Sequence, residues 1–464
     1  MKKPKDALHR RRIDLQVTAC PRKPGHPARH ALKLPRDFAD LILLTTNSGD
    51  PMHRRMVRLS FVCACLFAGP ITLHAQDFKL FDRTVQVHGF FSQGFVYSTG
   101  NNWLTMNTLN GSGAMTDFAL NMSSQITDKL RVGAQGYDRN LGQLGQYHPS
   151  LDWAMVDYRF KSWLGVRGGK VKTTLGLYTD TQDEDFLRVF ALLPQSVYPT
   201  DLRDATIAHL GGDVYGDISL RHRLGDFSYT AYAGHSVDSI YSGYTFLATQ
   251  YGTTYRDSAA LKYGADLRWN TPLRGLLIGA SRTNQDTTAN VTSVNPSDRE
   301  AGPVSYSAVS KADWTNQFYG EYTVGKLRID SEYRRFFHDG LAFGGALETI
   351  TDVRGWYASG AYRVMKRLAV GSYYSRYSVT SVSGGPLAAV LPQETDTSLP
   401  ADHIYDKVIT ARVDFKRFWN VKIEGHFMNG YGSSTYPDGF YPQVNPQGFK
   451  PDTNALVIKT GINF

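Results

Sequence analysis

The sequence predicts an all-β chain, a transmembrane antiparallel β-barrel of about 16 strands. Three observations carry this. Apolar and charged residues alternate with a period of two along most of the chain. Short and long polar breaks follow one another in turn. The last strand runs to the final residue and stops on an aromatic side chain, Phe464.

The alternation is clearest in the second half. Leu261, Tyr263, Ala265, Leu267 and Trp269 share one face of a strand, and Lys262, Gly264, Asp266 and Arg268 share the other. Phe318, Tyr322 and Val324 oppose Gln317, Glu321 and Thr323, and Leu327, Ile329 and Tyr333 oppose Arg328, Asp330, Glu332 and Arg334. Ile409, Ala411, Val413 and Phe415 oppose Thr410, Arg412 and Asp414; Val421, Ile423 and Phe427 oppose Lys422, Glu424 and His426. A Lys or Arg facing lipid at mid-bilayer costs about 2–4 kcal/mol. The charged faces are therefore expected to line the lumen: Asp266, Arg268, Glu321, Arg328, Asp330, Glu332, Arg334, Arg412, Asp414 and Glu424. With both signs present, a wet lumen is expected rather than a packed core.

The breaks sort by length. Short ones fall at Thr127-Asp128-Lys129, Lys161-Ser162, Leu224-Gly225-Asp226, Thr271-Pro272-Leu273-Arg274, Gly325-Lys326, Lys366-Arg367 and Lys416-Arg417. Long polar insertions are expected near 99–116, 140–150, 174–208, 237–257, 284–311, 338–352, 380–403 and 431–451. Tight turns on one side and long loops on the other are usual in outer-membrane barrels, whereas a soluble sandwich has no reason to sort its loops in this way. Tyr158, Phe160, Trp163, Trp269 and Phe418-Trp419 sit beside short turns, where amphipathic rings prefer the headgroup region. In the last strand, Leu456, Ile458, Ile462 and Phe464 share a face interrupted only by Thr460.

The charge balance is uneven. Residues 1–75 hold 14 of the 51 Lys and Arg but only 5 of the 42 Asp and Glu, so the remaining 37 of each sign cancel and the net +9 belongs to the N-terminal segment. It is no argument for nucleic-acid binding. All three cysteines, Cys20, Cys63 and Cys65, also precede residue 76, which leaves the rest of the chain without disulfides or thiolate metal sites. Arg54, Arg55 and Arg58, the apolar run from Leu59 to Leu73, and Ala75 before a cut at Gln76 read as a signal peptide over 52–75. Residues 1–51 read as a disordered extension or a mis-assigned start, and 76–464 as the barrel domain.

Residues 83–464 resemble the general bacterial porin superfamily. The likeness is carried by Leu151–Phe160 (LDWAMVDYRF), by Leu164–Lys172 (LGVRGGKVK) leading into Leu175-Gly176-Leu177-Tyr178, and by Leu192–Pro199 (LLPQSVYP). No heptad segment lies between Gln76 and the first strand, a departure from relatives with a coiled-coil arm. The resemblance implies a sixteen-stranded, usually trimeric barrel in an outer membrane, assembled by the barrel-assembly machinery with Phe464 as its insertion signal. Lipid and lipopolysaccharide would surround it. It also implies that the third loop folds into the lumen. The acidic cluster Asp180, Asp183, Glu184 and Asp185 would then face a basic wall of Arg131, Arg139, Arg159, Arg167, Lys170 and Lys172, and the apolar stretch Phe186 to Leu193 would form a short helix ended by Pro194.

No cofactor, metal or enzyme motif stands out. Gly234-His235-Ser236 lacks a closing glycine, and His338-Asp339 and Asp402-His403 are neighbours expected near external loops. The reading that follows is a porin for small hydrophilic solutes or ions. The alternatives are a surface-binding or structural barrel with an occluded pore and, further off, an outer-membrane enzyme. A 22-stranded transporter with a plug domain does not fit the strand count.

Overall fold

The computed structural model describes residues 76–464 apart from 81–82, 221–223, 238, 240, 250–251, 295–301, 389–398 and 433–437. The leader and extension expected over 1–75 lie outside the described residues.

Sixteen antiparallel strands close into a barrel. The first wall comprises β2 (Arg83–Thr99), β3 (Ser112–Gln125), β4 (Leu130–Leu141), β5 (Ser150–Lys161), β6 (Leu164–Lys172), β7 (Ala208–Ser219) and β8 (Asp226–Val237). Longer strands follow: β9 (Thr253–Asn270), β10 (Leu276–Val294), β11 (Pro303–Val324), β12 (Leu327–Ala342), β13 (Leu347–Met365) and β14 (Leu368–Gly384). The ring ends with β15 (His403–Lys416), β16 (Trp419–Asn429) and β17 (Asp452–Asn463). Each pairs with the next, and β17 pairs with β2 from Asn454↔Thr99 to Asn463↔Phe90, so no edge is left for lipid to meet.

A short additional strand, β1 (Gln76–Leu80), pairs with Arg83–Val87 of β2 directly below the place where β17 ends. Phe464 continues β17 by exchanging backbone bonds with Gly89, 2.9 and 3.0 Å. A Cβ on Gly89 would lie 2.6 Å from the Phe464 ring, so glycine makes the room for it. The terminal strand does not stop in open space.

All seven short turns fall where the sequence places them. Two expected long loops do not. Most of 284–311 and 338–352 is strand, because β10 runs on to Val294, β11 starts at Pro303, β12 reaches Ala342 and β13 starts at Leu347. These Thr-, Ser- and Asn-rich ends pair to their tips, with a bulge between Gln285 and Thr288, and their polarity marks a sheet standing in water rather than a loop. The aromatics beside the short turns lie on the outer surface. Tyr158 packs edge-on to Phe160, Phe227 stacks on Trp269, and Phe415 stacks on Trp419.

The apolar core lies inside the barrel and is made by loops. Trp103, Leu104 and Met106 from 100–111, Leu192 from the third loop and Phe440 from 430–451 pack together with Val96, Met428 and Val457 on the inner wall.

Candidate functional site

The connection between β6 and β7, residues 173–207, crosses the lumen and is bonded to the wall on several sides. Its backbone is a chain of single turns: Thr179–Thr181, Asp185–Leu187, Thr200–Leu202 and a four-residue α1 (Arg203–Thr206). The helix expected over Phe186–Leu193 does not form. Arg188 is already extended at φ −115°, ψ 157°, and the backbone groups of this stretch are taken by wall side chains instead of by each other. Glu424 accepts from the amides of Ala191 and Leu192 at 2.8 and 3.2 Å. Lys422 donates to the Phe190 carbonyl at 3.0 Å and to the Asp185 carbonyl, and Arg412 donates to the carbonyls of Arg188 and Phe186.

About a quarter of the way round the wall, on β12, Glu332 is the anchor. It accepts from the Leu177 amide (3.0 Å), the Tyr198 hydroxyl (2.6 Å), the Tyr357 hydroxyl (2.7 Å) and the Gln317 amide (2.8 Å). Arg268 donates to the Gly176 carbonyl and Ser281 accepts from the Gly176 amide, each at 2.9 Å. Gly176 has φ +67°, and a Cβ there would lie 2.0 Å from the Gln317 side chain, so only glycine fits. The loop also rests directly on β13: a Cβ on Gly355 would meet the Ser196 carbonyl.

The acidic cluster divides in two. Asp183 is buried and pairs with Lys172 at 3.0 Å, accepts from Gln135 at 2.7 Å and lies 3.6 Å from Arg203. Burial pushes its carboxyl up, but Lys172 and Arg203 outweigh that and hold it at about 2. Asp185 is buried as well, 3.1 Å from Lys459 and 3.7 Å from Lys422. These two ammonium groups overcome its desolvation and keep it well below the usual carboxylate range. Asp180 and Glu184 are half-buried. Asp180 is close enough to Arg268 for the charges to interact, and burial raises the Glu184 carboxyl despite its proximity to Lys172.

The basic residues expected to face this cluster scatter. Lys172 meets Asp183. Arg139 binds Asp204 at 2.9 Å and the Thr200 carbonyl at 2.7 Å, holding the far end of the loop. Arg159 and Arg167 pair instead with Asp217 and Asp213 of β7, at 2.7 and 2.8 Å, and Arg131 donates to Ser123 at 3.3 Å. Lys170 is on the outer face, in register with the exposed Leu210, and bonds the Leu151 carbonyl. It lies three residues from the inward Arg167, and an odd step reverses the face.

The partners missed by sequence reasoning are Lys422, Lys459 and Arg203. The first two are inward by the same parity that selects Glu424, so the signal was present. Arg203 lies on the loop itself, sits over the Tyr137 ring at 3.7 Å and binds Asp152 at 2.9 Å; nothing in the sequence marks it.

Asp266, Arg268, Glu321, Arg328, Asp330, Glu332, Arg334, Arg412, Asp414 and Glu424 are all on the inner face, but their surroundings differ. Glu332 and Glu424 are bound to the loop and fully buried. Arg328 with Glu321 (2.6 Å) and Arg412 with Asp414 (2.7 Å) lie toward the short turns, with part of their surface open. At the height of the loop the lumen is thus largely filled by protein rather than by water.

His338 and its sequence neighbour Asp339 take different partners. His338 points inward to Asp313 at 2.6 Å while Asp339 lies near Lys311, 3.4 Å away, on the other face. His403 contacts Asn429 at 3.1 Å. Gly234-His235-Ser236 lies at the end of β8, beside the loop that follows Val237.

No sequence-family profile and no curated protein matches the chain. Solved structures do. Outer-membrane expressed OmpT of Vibrio cholerae superposes with a TM-score of 0.53 at 11% identity, over 84% of this chain and 100% of that one. The trimer form of in-vitro folded OmpT from the same organism gives a TM-score of 0.51 at 12% identity, over 82% of this chain and 99% of that one. The fold shared with these outer-membrane proteins is a closed barrel of sixteen antiparallel strands.

Proposed function

We propose that the chain is an outer-membrane channel through which small hydrophilic solutes or ions diffuse passively, with residues 173–207 as its constriction. The observation that carries this reading is the pairing across the lumen: a loop carrying Asp180, Asp183, Glu184 and Asp185 is set against Arg268, Lys422 and Lys459 of the wall. Below it, charges of both signs remain open to water. Opposed charge rows raise the barrier for apolar solutes and orient polar ones. The assembly is proposed to be a homotrimer inserted by way of the Phe464 end. Among the described residues no helix is long and apolar enough to cross a membrane; the strands do so.

A second reading has an observation of its own. The loop is bonded all round its path, which favours a barrel whose pore is closed at rest and which acts through its external loops. Purified protein in planar bilayers decides between the two. Stable ohmic steps that saturate with neither sign of ion support the channel, and silence across the voltage range supports the closed barrel.

A further inference from the structure

We infer that the outer face of β10–β13 binds the phosphorylated headgroup of an anionic outer-leaflet lipid through Arg282 and Arg335, which flank Trp314, and Arg354, with an acyl chain of the same molecule in the adjoining groove of β7–β9. The inference rests on the outer-membrane reading above and names a lipid partner and its site.

Arg282, Asn316, Arg335 and Arg354 are successive register partners on four neighbouring strands, so they form one row on one face. That face is the outer one, since Ile278, Phe318, Ile329, Tyr333 and Trp356, at even steps along the same strands, are all exposed hydrophobics. These lie between the row and the short turns. Beyond the row, away from the turns, polar Thr288, Asn290 and Asp339 are interspersed with exposed Val309 and Ile350. Arg282 is six residues from the start of β10 and Arg354 eleven from the end of β13. At about 2.5 Å of height per residue in a tilted strand, that places the row some 15–28 Å above the turns, rising from the upper half to the top edge of an apolar band about 25 Å tall.

Guanidinium groups at the rim of a hydrocarbon layer are costly unless an anion meets them. The structure supplies only part of that anion. Trp314 lies between Arg282 and Arg335, with ring distances of 5.2 and 5.3 Å. Asp352 takes a two-point contact from Arg335 at 3.0 and 2.9 Å and another bond from Arg354 at 2.7 Å. Arg282 reaches only the neutral Asn316 and Asn284, at 3.0 Å each. Two of the three cations therefore share one carboxylate, and Arg282 bonds only uncharged amides among the described residues. Arg354 and Arg335 keep 54% and 37% of their side chains exposed, against 16% for Asp352. The next outward carboxylate on β10 is Asp286, two residues beyond Asn284. An excess of forked donors around a tryptophan at this height matches a phosphate group.

A second feature adjoins it. An open cavity of about 710 Å³ at β7, β8 and β9 is lined by outward Gly212, Val214, Ala231, Ala233, Tyr263 and Ala265, touches the inward positions Arg167, Asp213, Tyr232 and Gly264 where the wall is thin, and ends at Arg282 and Asn284. Its floor is low because glycine and alanine occupy successive register positions, Gly212↔Ala233 and Ala231↔Ala265. A headgroup held at Arg282 would direct an acyl chain into this groove.

The test uses the full protein in mild detergent, with native mass spectrometry against three probes: bisphosphorylated lipid A, its dephosphorylated form, and phosphatidylethanolamine. Wild type is expected to prefer the bisphosphorylated lipid. The double variant Arg282→Gln/Arg354→Gln should bind it about a hundredfold more weakly, roughly tenfold per charge-assisted contact, with unchanged oligomeric mass and heat-modifiable mobility. Ala233→Leu, which fills the groove without touching charge, should weaken the same lipid and leave the arginines intact. Equal binding of phosphorylated and dephosphorylated lipid, or equal binding by wild type and both variants, overturns the inference. Loss of the oligomer with lipid binding retained would instead make this face a contact between copies of the chain. Recovery of the native protein in inner rather than outer membranes would overturn the channel's location, a result separate from lipid binding in detergent.

Discussion

The two halves of the lumen carry the same chemistry and treat it differently. Where the third loop crosses, Lys422, Glu424 and His426 are fully buried and bonded to residues 185–192 or to Asp406. Toward the short turns, Arg328–Glu321 pairs across neighbouring strands and Arg159–Asp217 and Arg363–Asp414 across an intervening one, with much of their surface in water. Both sets come from inward positions on alternating strands. What differs is whether a loop or solvent lies opposite. A charged inner face therefore identifies a lumen but does not say which of its charges line a path and which fasten a plug.

Disrupting the buried set should have the largest effect. Lys422→Met removes one of the two cations beside Asp185 and the donor to two loop carbonyls, and breaking a buried pair from one side costs about 3–5 kcal/mol. The temperature of the heat-dependent mobility shift should fall clearly, and single-channel current should rise and become noisier. A variant with the wild-type temperature and current would mean that Lys422 fastens nothing.

Acid should act on the same half. A carboxyl whose folded pKa lies below its unfolded value stabilises the fold above the unfolded value and stops doing so as pH falls through the folded one. For Asp183 that window runs from near pH 4 down to about 2, and the contribution lost is about 2 kcal/mol. Channel current measured between pH 5 and 2 should show loosening of the loop below pH 4. In Asp183→Asn the loop should be loose throughout, with that pH step much reduced; a step of undiminished size would assign it to another group.

Gly176→Ala tests the turn where the loop leaves its wall. Forcing a Cβ residue into the left-handed region costs about 1–2 kcal/mol, and the Gln317 side chain must also move. The mobility-shift temperature should drop by less than in Lys422→Met.

Smaller still is the expected effect of Asp180→Asn with Glu184→Gln, the half-buried members of the acidic cluster. Reversal potentials across a salt gradient should move toward anions in dilute salt and much less in molar salt, where the screening length shortens from about 10 to 3 Å. An unchanged ratio in dilute salt would place both carboxylates away from the conducting path. Arg159→Gln, in the watery half, should change stability by no more than about 1 kcal/mol. A loss comparable to that of Lys422→Met would erase the distinction between the two halves.

Alternation, turn spacing and the apolar outer faces are local properties. A strand side chain points inward or outward according to its parity, whatever its partners, and lipid excludes charge from one of the two faces. The barrel, its sixteen strands, its seven tight turns and the inward position of residues such as Glu332 and Glu424 were therefore legible in the sequence. So was the outward position of Lys170, although its basic character drew it into the expected inner row. Polar strand ends past Gln285 and Phe337 read as loops because composition cannot distinguish a hydrated sheet from a hydrated loop. Only tertiary structure decided that Phe186–Leu193 stays unwound, that Lys422, Lys459 and Arg203 hold the acidic loop, that loops 100–111 and 430–451 supply the apolar core, and that Arg282 and Arg335 flank Trp314 while Arg354 joins Arg335 at Asp352. These features depend on which residues meet across the ring, at separations of more than 200 positions in the case of Asp185 and Lys422, and register between distant strands is a property of the closed barrel rather than of any one segment.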